Sequence, residues 1–246
     1  MTYIIITSAL VLILIFVRKY LIVAKGIKPE QAIFGSIKNS KKLLKAFHAK
    51  QPKHQSKNPK PGMDESKILF TQAMTHYENG DLNEAANKLE NLLEIKPDHH
   101  AAQLKLGLIY LKKGSFDKAE NIFKKLIESD NKQAVFHSNL GRALYEQKKF
   151  NEALEAYLNS INLDKTRAAR FLSTAEVYRA LSEPVKAEEM YKRACDIEPD
   201  NTDFLLAFAH YEVELGKKTQ AKYYLRQALK TDPNNHLAKQ MMTEIG

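Results

Sequence analysis

Ala85, Ala119, Ala153, Ala187 and Ala221 stand 34 residues apart, with no insertion or deletion between them. Three further rows keep the same period. One is small throughout (Ala73, Gly107, Gly141, Ala175, Ala209), and one is large and apolar or aromatic (Leu89, Phe123, Tyr157, Tyr191, Leu225). The third is apolar (Leu93, Ile127, Ile161, Cys195, Leu229). A sparser row carries Pro97, Pro199 and Pro233, with Asn131 and Lys165 in the other two copies. These rows predict helix hairpins. A small residue lets two helices approach closely, and a large one sixteen positions later fills the space beside it. Gly80, Gly114 and Gly216 fall between the two periodic segments, where one helix must stop and the chain turn. Asp81 followed by Glu84 reads as a capping box opening the second helix. Pro184 and Lys218 stand where the first three copies hold Leu82, Phe116 and Phe150. The fourth and fifth hairpins are therefore expected to be the looser ones.

The copies span 66–99, 100–133, 134–167, 168–201 and 202–235. Residues 236–246 begin a sixth copy and stop. There Leu237, Met241 and Ile245 form an i, i+4, i+8 stripe beside polar Lys239, Gln240, Thr243 and Glu244. That pattern predicts a capping helix with one face on the last hairpin and the other in water.

The start of the chain follows a different pattern. Tyr3 to Val17 is an uninterrupted run of apolar or small residues. Continued through Arg18 and Lys19 to Ala24, it makes a helix of about 33 Å, enough for a hydrocarbon core of roughly 30 Å. The two cationic side chains would snorkel to the interface. Residues 1–24 thus predict a single transmembrane anchor. A cleaved signal peptide needs a basic start and a small-x-small cleavage site, and the sequence shows neither. Residues 25–65 read as a basic juxtamembrane stem. Ile33, Phe34, Ile37, Leu44 and Phe47 share much of one helical side, with Lys38, Lys41, Lys42 and Lys45 around them. Such a stem either lies on anionic lipid or is a solvated spacer. Within it, residues 50–62 have no apolar side chain except proline and read as a flexible linker.

Charge sharpens this division. The formal net charge is +9, but residues 18–60 alone carry twelve basic side chains against Glu30. The remaining folded part holds 26 basic and 28 acidic residues. A nucleic-acid-binding domain carries its positive charge on the folded part, so nucleic acid is not an expected partner. Positive flanks stay in the cytoplasm, which places the N-terminus outside and the bulk of the chain in the cytoplasm. The reverse arrangement, a periplasm-facing envelope-assembly module, runs against that flank. With 44% apolar and 27% charged residues, the chain is neither wholly disordered nor a multi-spanning membrane protein.

The repeats resemble the tetratricopeptide repeat. The second copy carries the likeness most fully, with Leu106-Gly107, Tyr110, Gly114, Ala119 and Phe123 in the family's places. The family's early Trp is replaced by Leu69, Gln103, His137, Phe171 and Leu205. The resemblance implies an all-α fold: a right-handed α-solenoid of five hairpins plus the capping helix. It also implies that the first helix of each hairpin lines a concave groove for proteins or peptide segments. The groove residues would be Phe70, Met74, Tyr77, Leu104, Leu108 and Leu111, then Ser138, Arg142 and Tyr145, then Leu172, Glu176 and Arg179, and last Leu206, His210 and Val213. The alternative reading is that some of these pack as core against neighbouring helices. Certain family members grip a C-terminal carboxylate; the matching positions hold Phe70, Met74, Lys105, Val135 and Asn139, of which only Asn139 fits. The plan of anchor plus array is also similar to bacterial inner-membrane assembly factors such as those regulating lipopolysaccharide synthesis. Their rubredoxin-like domain of paired Cys-x-x-Cys has no counterpart in this sequence.

No catalytic, cofactor-binding or metal-binding constellation emerges. Gly216-Lys217-Lys218-Thr219 has Tyr211 where a phosphate loop needs its upstream glycine. The single Cys195 sits in an apolar row and excludes any paired-thiolate metal site. The expectation is a non-enzymatic, membrane-anchored scaffold or adaptor of the bacterial inner membrane, acting in envelope assembly or membrane-complex biogenesis. A regulatory subunit of a membrane enzyme is the other reading.

Overall fold

The computed structural model describes residues 64–246. The expected anchor over 1–24, and the expected stem and linker up to residue 63, lie outside the described residues.

The described residues form eleven helices and no strand. They pair as α1 (Glu65–Asn79) with α2 (Leu82–Ile95), α3 (His100–Lys112) with α4 (Phe116–Ser129), and α5 (Ala134–Glu146) with α6 (Phe150–Leu163). Next come α7 (Ala168–Ala180) with α8 (Pro184–Ile197), α9 (Thr202–Glu214) with α10 (Lys218–Thr231), and a lone α11 (His236–Glu244). Each helix packs mainly on its hairpin partner, and each second helix packs on the first helix of the next hairpin. None of the described helices is long and apolar enough to cross a membrane.

The turn inside every hairpin has one geometry. Gly80, Gly114 and Gly216 adopt φ of 85°, 72° and 73°, and the equivalent Lys148 and Ser182 adopt 62° and 58°. The same two hydrogen bonds close the turn in either case: Gly80 N–H donates to Tyr77 O and Asp81 N–H to His76 O, as Lys148 N–H does to Tyr145 O and Lys149 N–H to Leu144 O. The expected capping box is not formed. Asp81 makes no side-chain cap bond, and its carboxylate lies 3.7 Å from His76 Nδ1. True caps sit at the starts of the first helices instead, where Asn201, Asn235 and His99 accept from backbone N–H groups.

The core is the set of rows. The five alanines at 85, 119, 153, 187 and 221 are wholly buried, and Leu89, Phe123, Tyr157, Tyr191 and Leu225 are buried beside them. One fully buried row escapes a reading by hydrophobicity: Leu92, Leu126, Ser160, Ala194 and Ala228. Its polar member is satisfied, since Ser160 Oγ donates to Ala134 O at 2.8 Å. The apolar row one position later is only partly buried at Leu93, Ile127 and Leu229.

The fourth and fifth hairpins are not the loose ones. Pro184 and Lys218 are exposed, but Pro184 is well placed in the first turn of α8, where no N–H is needed. Behind them, Tyr191 lies 5.6 Å from Phe208 and 4.8 Å from Tyr211, and Phe208 4.2 Å from Tyr224. This aromatic ladder ties the two hairpins together. At the end of the chain, α11 buries Ala238, Met241 and Ile245, while Leu237 is 53% exposed. The capping stripe therefore runs i, i+3, i+7 from Ala238 rather than from Leu237.

Ion pairs join hairpins at a fixed spacing. Buried Glu120 on α4 accepts from Lys124 at 2.6 Å, and from Lys149 at 2.9 Å and Gln147 at 2.8 Å in the next hairpin. Glu188 on α8 accepts from Lys217 at 2.5 Å in the same relation.

Candidate functional site

The first helices of neighbouring hairpins also touch one another, α3 with α5 and α5 with α7. Together they build one continuous face, which the second helices do not share. Residues three or four apart on one helix point the same way, so this face carries the trios expected from the sequence.

On α1 and α3 it is apolar. Phe70, Met74, Tyr77, Leu104 and Leu108 are half-buried, packed on one side against the core of the first two hairpins. Leu111 differs. It is 4% exposed and belongs to the core cluster of the first two hairpins. Tyr77 is framed by two lysines of α3, with Lys105 Nζ 5.5 Å and Lys112 Nζ 5.6 Å from the ring centroid. Phe70 packs against His99 at 5.3 Å.

From α5 onward the face turns polar. Arg142 is exposed, and Tyr145 is half-buried against Phe150 at 5.5 Å. Burial pushes the Tyr145 hydroxyl pKa up, with Glu176 adding to it. Arg179 is engaged within the protein: its guanidinium lies 3.3 Å from Glu176 and 3.3 Å from Glu214. Glu176 also accepts from the Tyr191 hydroxyl at 2.5 Å, and His210 Nδ1 lies 3.3 Å from Glu214. Leu206 is buried.

The face is thus divided by charge. On α7 its cation, Arg179, is neutralised internally. On α3 and α5, Lys105, Lys112 and Arg142 take part in no ion pair among the described residues, while Glu78 and Glu146 are the exposed acids nearby in the same rows. The lysines beside Tyr77 were legible as a spacing, since Lys105 and Lys112 lie seven apart like Leu104 and Leu111. Hydrophobicity alone gave no reason to select them. Asn139, the one residue that fits a carboxylate grip, donates to Val135 O of its own helix at 2.8 Å.

Reactive chemistry is sparse. Burial, with Asp196 adding to it, pushes the Cys195 thiol pKa up to about 12, which removes the thiolate a nucleophile needs. Among the described residues no group of three or more His, Cys, Asp and Glu side chains is arranged to hold a metal ion.

A sequence profile of the tetratricopeptide repeat matches residues 76–138 and 178–245, and a second one matches 134–167. DnaJ homolog subfamily C member 3 of Bos taurus is 28% identical over 184 residues, covering 68% of this chain and 36% of that protein. The chain therefore spans about a third of that relative's length. Type IV pilus assembly protein PilF of Pseudomonas aeruginosa is 25% identical over 153 residues, 60% of each chain. The crystal structure of MamA superposes with a TM-score of 0.62 at 23% identity, covering 69% of this chain and 92% of that one. That last likeness is one of fold.

Proposed function

Because the chain belongs to the tetratricopeptide repeat family, we propose that it is a membrane-anchored interaction scaffold that recruits a partner protein through the face built by α1, α3 and α5. The observation that carries this is the half-buried set Phe70, Met74, Tyr77, Leu104 and Leu108 with two lysine amines framing Tyr77. Side chains packed on one side and open on the other form a ready apolar surface for a peptide. The free cations favour a peptide with acidic residues beside its apolar anchors.

The anchor rests on the apolar run Tyr3–Val17, and the cytoplasmic side on Arg18, Lys19, Lys25 and Lys28 behind it. The basic stem adds attraction to anionic lipid. A place in envelope assembly or membrane-complex biogenesis draws support from PilF, which is named for pilus assembly.

The test is photo-crosslinking in intact cells from a reactive side chain at position 108, with position 185 as control, since Val185 is 79% exposed on α8 away from this face. A discrete adduct from 108 that is missing from 185 and lost on Tyr77→Ser supports the proposal. Identical adducts from both positions would overturn it.

A further inference from the structure

We propose that the cleft between α2 and α4, on the face formed by the second helices, is a separate docking site, and that it takes an amphipathic helix with one basic and one acidic edge. The cleft has a volume of about 780 Å3. Helix α3 passes beneath it, and Leu93, Leu106 and Ile122 make an apolar floor. One wall is acidic: Glu90 and Glu94, one turn apart on α2, are followed by Asp98 in the next loop. The opposite wall is basic, with Lys118 and Lys125 two turns apart on α4.

The two walls do not neutralise each other. Glu90 accepts from the Tyr110 hydroxyl, and Lys118 sits 5.1 Å over the Tyr110 ring. Neither lysine is in an ion pair among the described residues, and Glu94 and Asp98 are exposed. The cleft therefore presents three parallel stripes: acidic, apolar and basic. A strand has only two faces, whereas a helix can carry three stripes around its circumference. Carboxylates at i and i+4 on α2 match Lys or Arg at i and i+4 on an opposing helix, both about 6 Å apart.

The fold itself does not require this charge pattern. At the next junction the three acidic positions become Lys124, Glu128 and Lys132, and the two lysines become Glu152 and Asn159. Nor does it require the cleft to be open. At the last junction the places of Leu106 and Ile122 are taken by the larger Phe208 and Tyr224, whose rings pack 4.2 Å apart.

The proposal is tested by fluorescence anisotropy on the full chain, using labelled synthetic helical peptides of about five turns. All share one Leu stripe. The first carries Lys along one edge and Glu along the other, and the second has the same composition with its charges shuffled. The first should bind roughly tenfold more tightly than the second, and Glu94→Lys with Asp98→Lys should remove that advantage. Tyr77→Ser should leave it unchanged, so failure here is distinguishable from failure of the α1–α3–α5 face. Equal binding of the two peptides, or indifference to the charge reversal, would overturn the site. So would sedimentation showing a dimer of the chain that the charge reversal dissolves, since the occupant would then be a second copy.

Discussion

The ring of Tyr157 lies so close to the backbone of Gly141 that a Cβ built there would stand 2.9 Å from its Cγ and Cδ2. Gly107 and Phe123 repeat the contact one hairpin earlier, at 2.8 Å. In both pairs the glycine is on the first helix and the ring on the second, so the ring sits where a side chain would otherwise be. Gly141→Leu should overpack this crossing and cost about 1–3 kcal/mol or more. Residues 62–246 form one compact unit, and their thermal melting reads the effect, at about 2–4 °C per kcal/mol. An unchanged melting temperature would contradict the packing.

Lys148 and Ser182 hold the left-handed turn conformation that glycine holds in the other three hairpins. A Cβ is strained there, and neither turn is closed by different hydrogen bonds. Lys148→Gly and Ser182→Gly should each stabilise the array by about 1 kcal/mol. Denaturant unfolding checks this, and a loss of stability in both variants would contradict it.

Glu120 links the second and third hairpins. Burial pushes its carboxyl pKa up, but hydrogen bonds from Lys124, Lys149 and Gln147 outweigh that and hold it at about 2. With the folded value depressed, the link is present at neutral pH and is lost as pH falls through the acid range towards 2. Glu120→Gln should therefore cost roughly 2 kcal/mol at pH 7 and much less near pH 2. Equal melting shifts at both pH values would contradict it.

Glu212 shows the opposite case. It is 1% exposed, and neither carboxylate oxygen has a hydrogen-bond partner. Lys217, five residues on, is engaged by Glu188. Burial raises the Glu212 pKa and Glu188 raises it further, against a smaller opposing effect of Lys217. A raised folded value means the favourable neutral form is complete at low pH and is lost as pH rises through that value. Glu212→Leu, which copies buried Leu144 at the same place in the third hairpin, should raise the melting temperature at neutral pH. The gain should shrink as the pH is lowered. A destabilised variant at neutral pH would contradict this.

The architecture was legible because it rests on size rows that five copies repeat. Small-against-large packing at Gly141 and Tyr157 needs no knowledge of the rest of the fold. The row from Leu92 to Ala228 was not legible, because Ser160 is polar and its hydroxyl is satisfied by Ala134 O on the other helix of its own hairpin. The looseness expected of the later hairpins failed for a related reason. The row holding Pro184 and Lys218 lies at the surface, and stability there comes from rings brought together from α8, α9 and α10. The binding face was legible as a set of helical spacings but not in its burial. Leu111 and Leu108 read alike in sequence, but Leu111 is 4% exposed within the core while Leu108 stays half open. Exposed charge was less legible still, since Arg179 is claimed by Glu214 from the next hairpin.

The proposed role of α1, α3 and α5 is to present a partner-binding face rather than more core. Its most direct measurement pairs partner affinity with folding in the Tyr77→Ser, Leu108→Ser double variant of the full chain, using the partner crosslinked at position 108. The account predicts that binding weakens by at least about tenfold, as for the loss of interface anchors, while helix content stays the same and the melting transition remains cooperative. A double variant that unfolds, or one that binds as tightly as the parent, would contradict it.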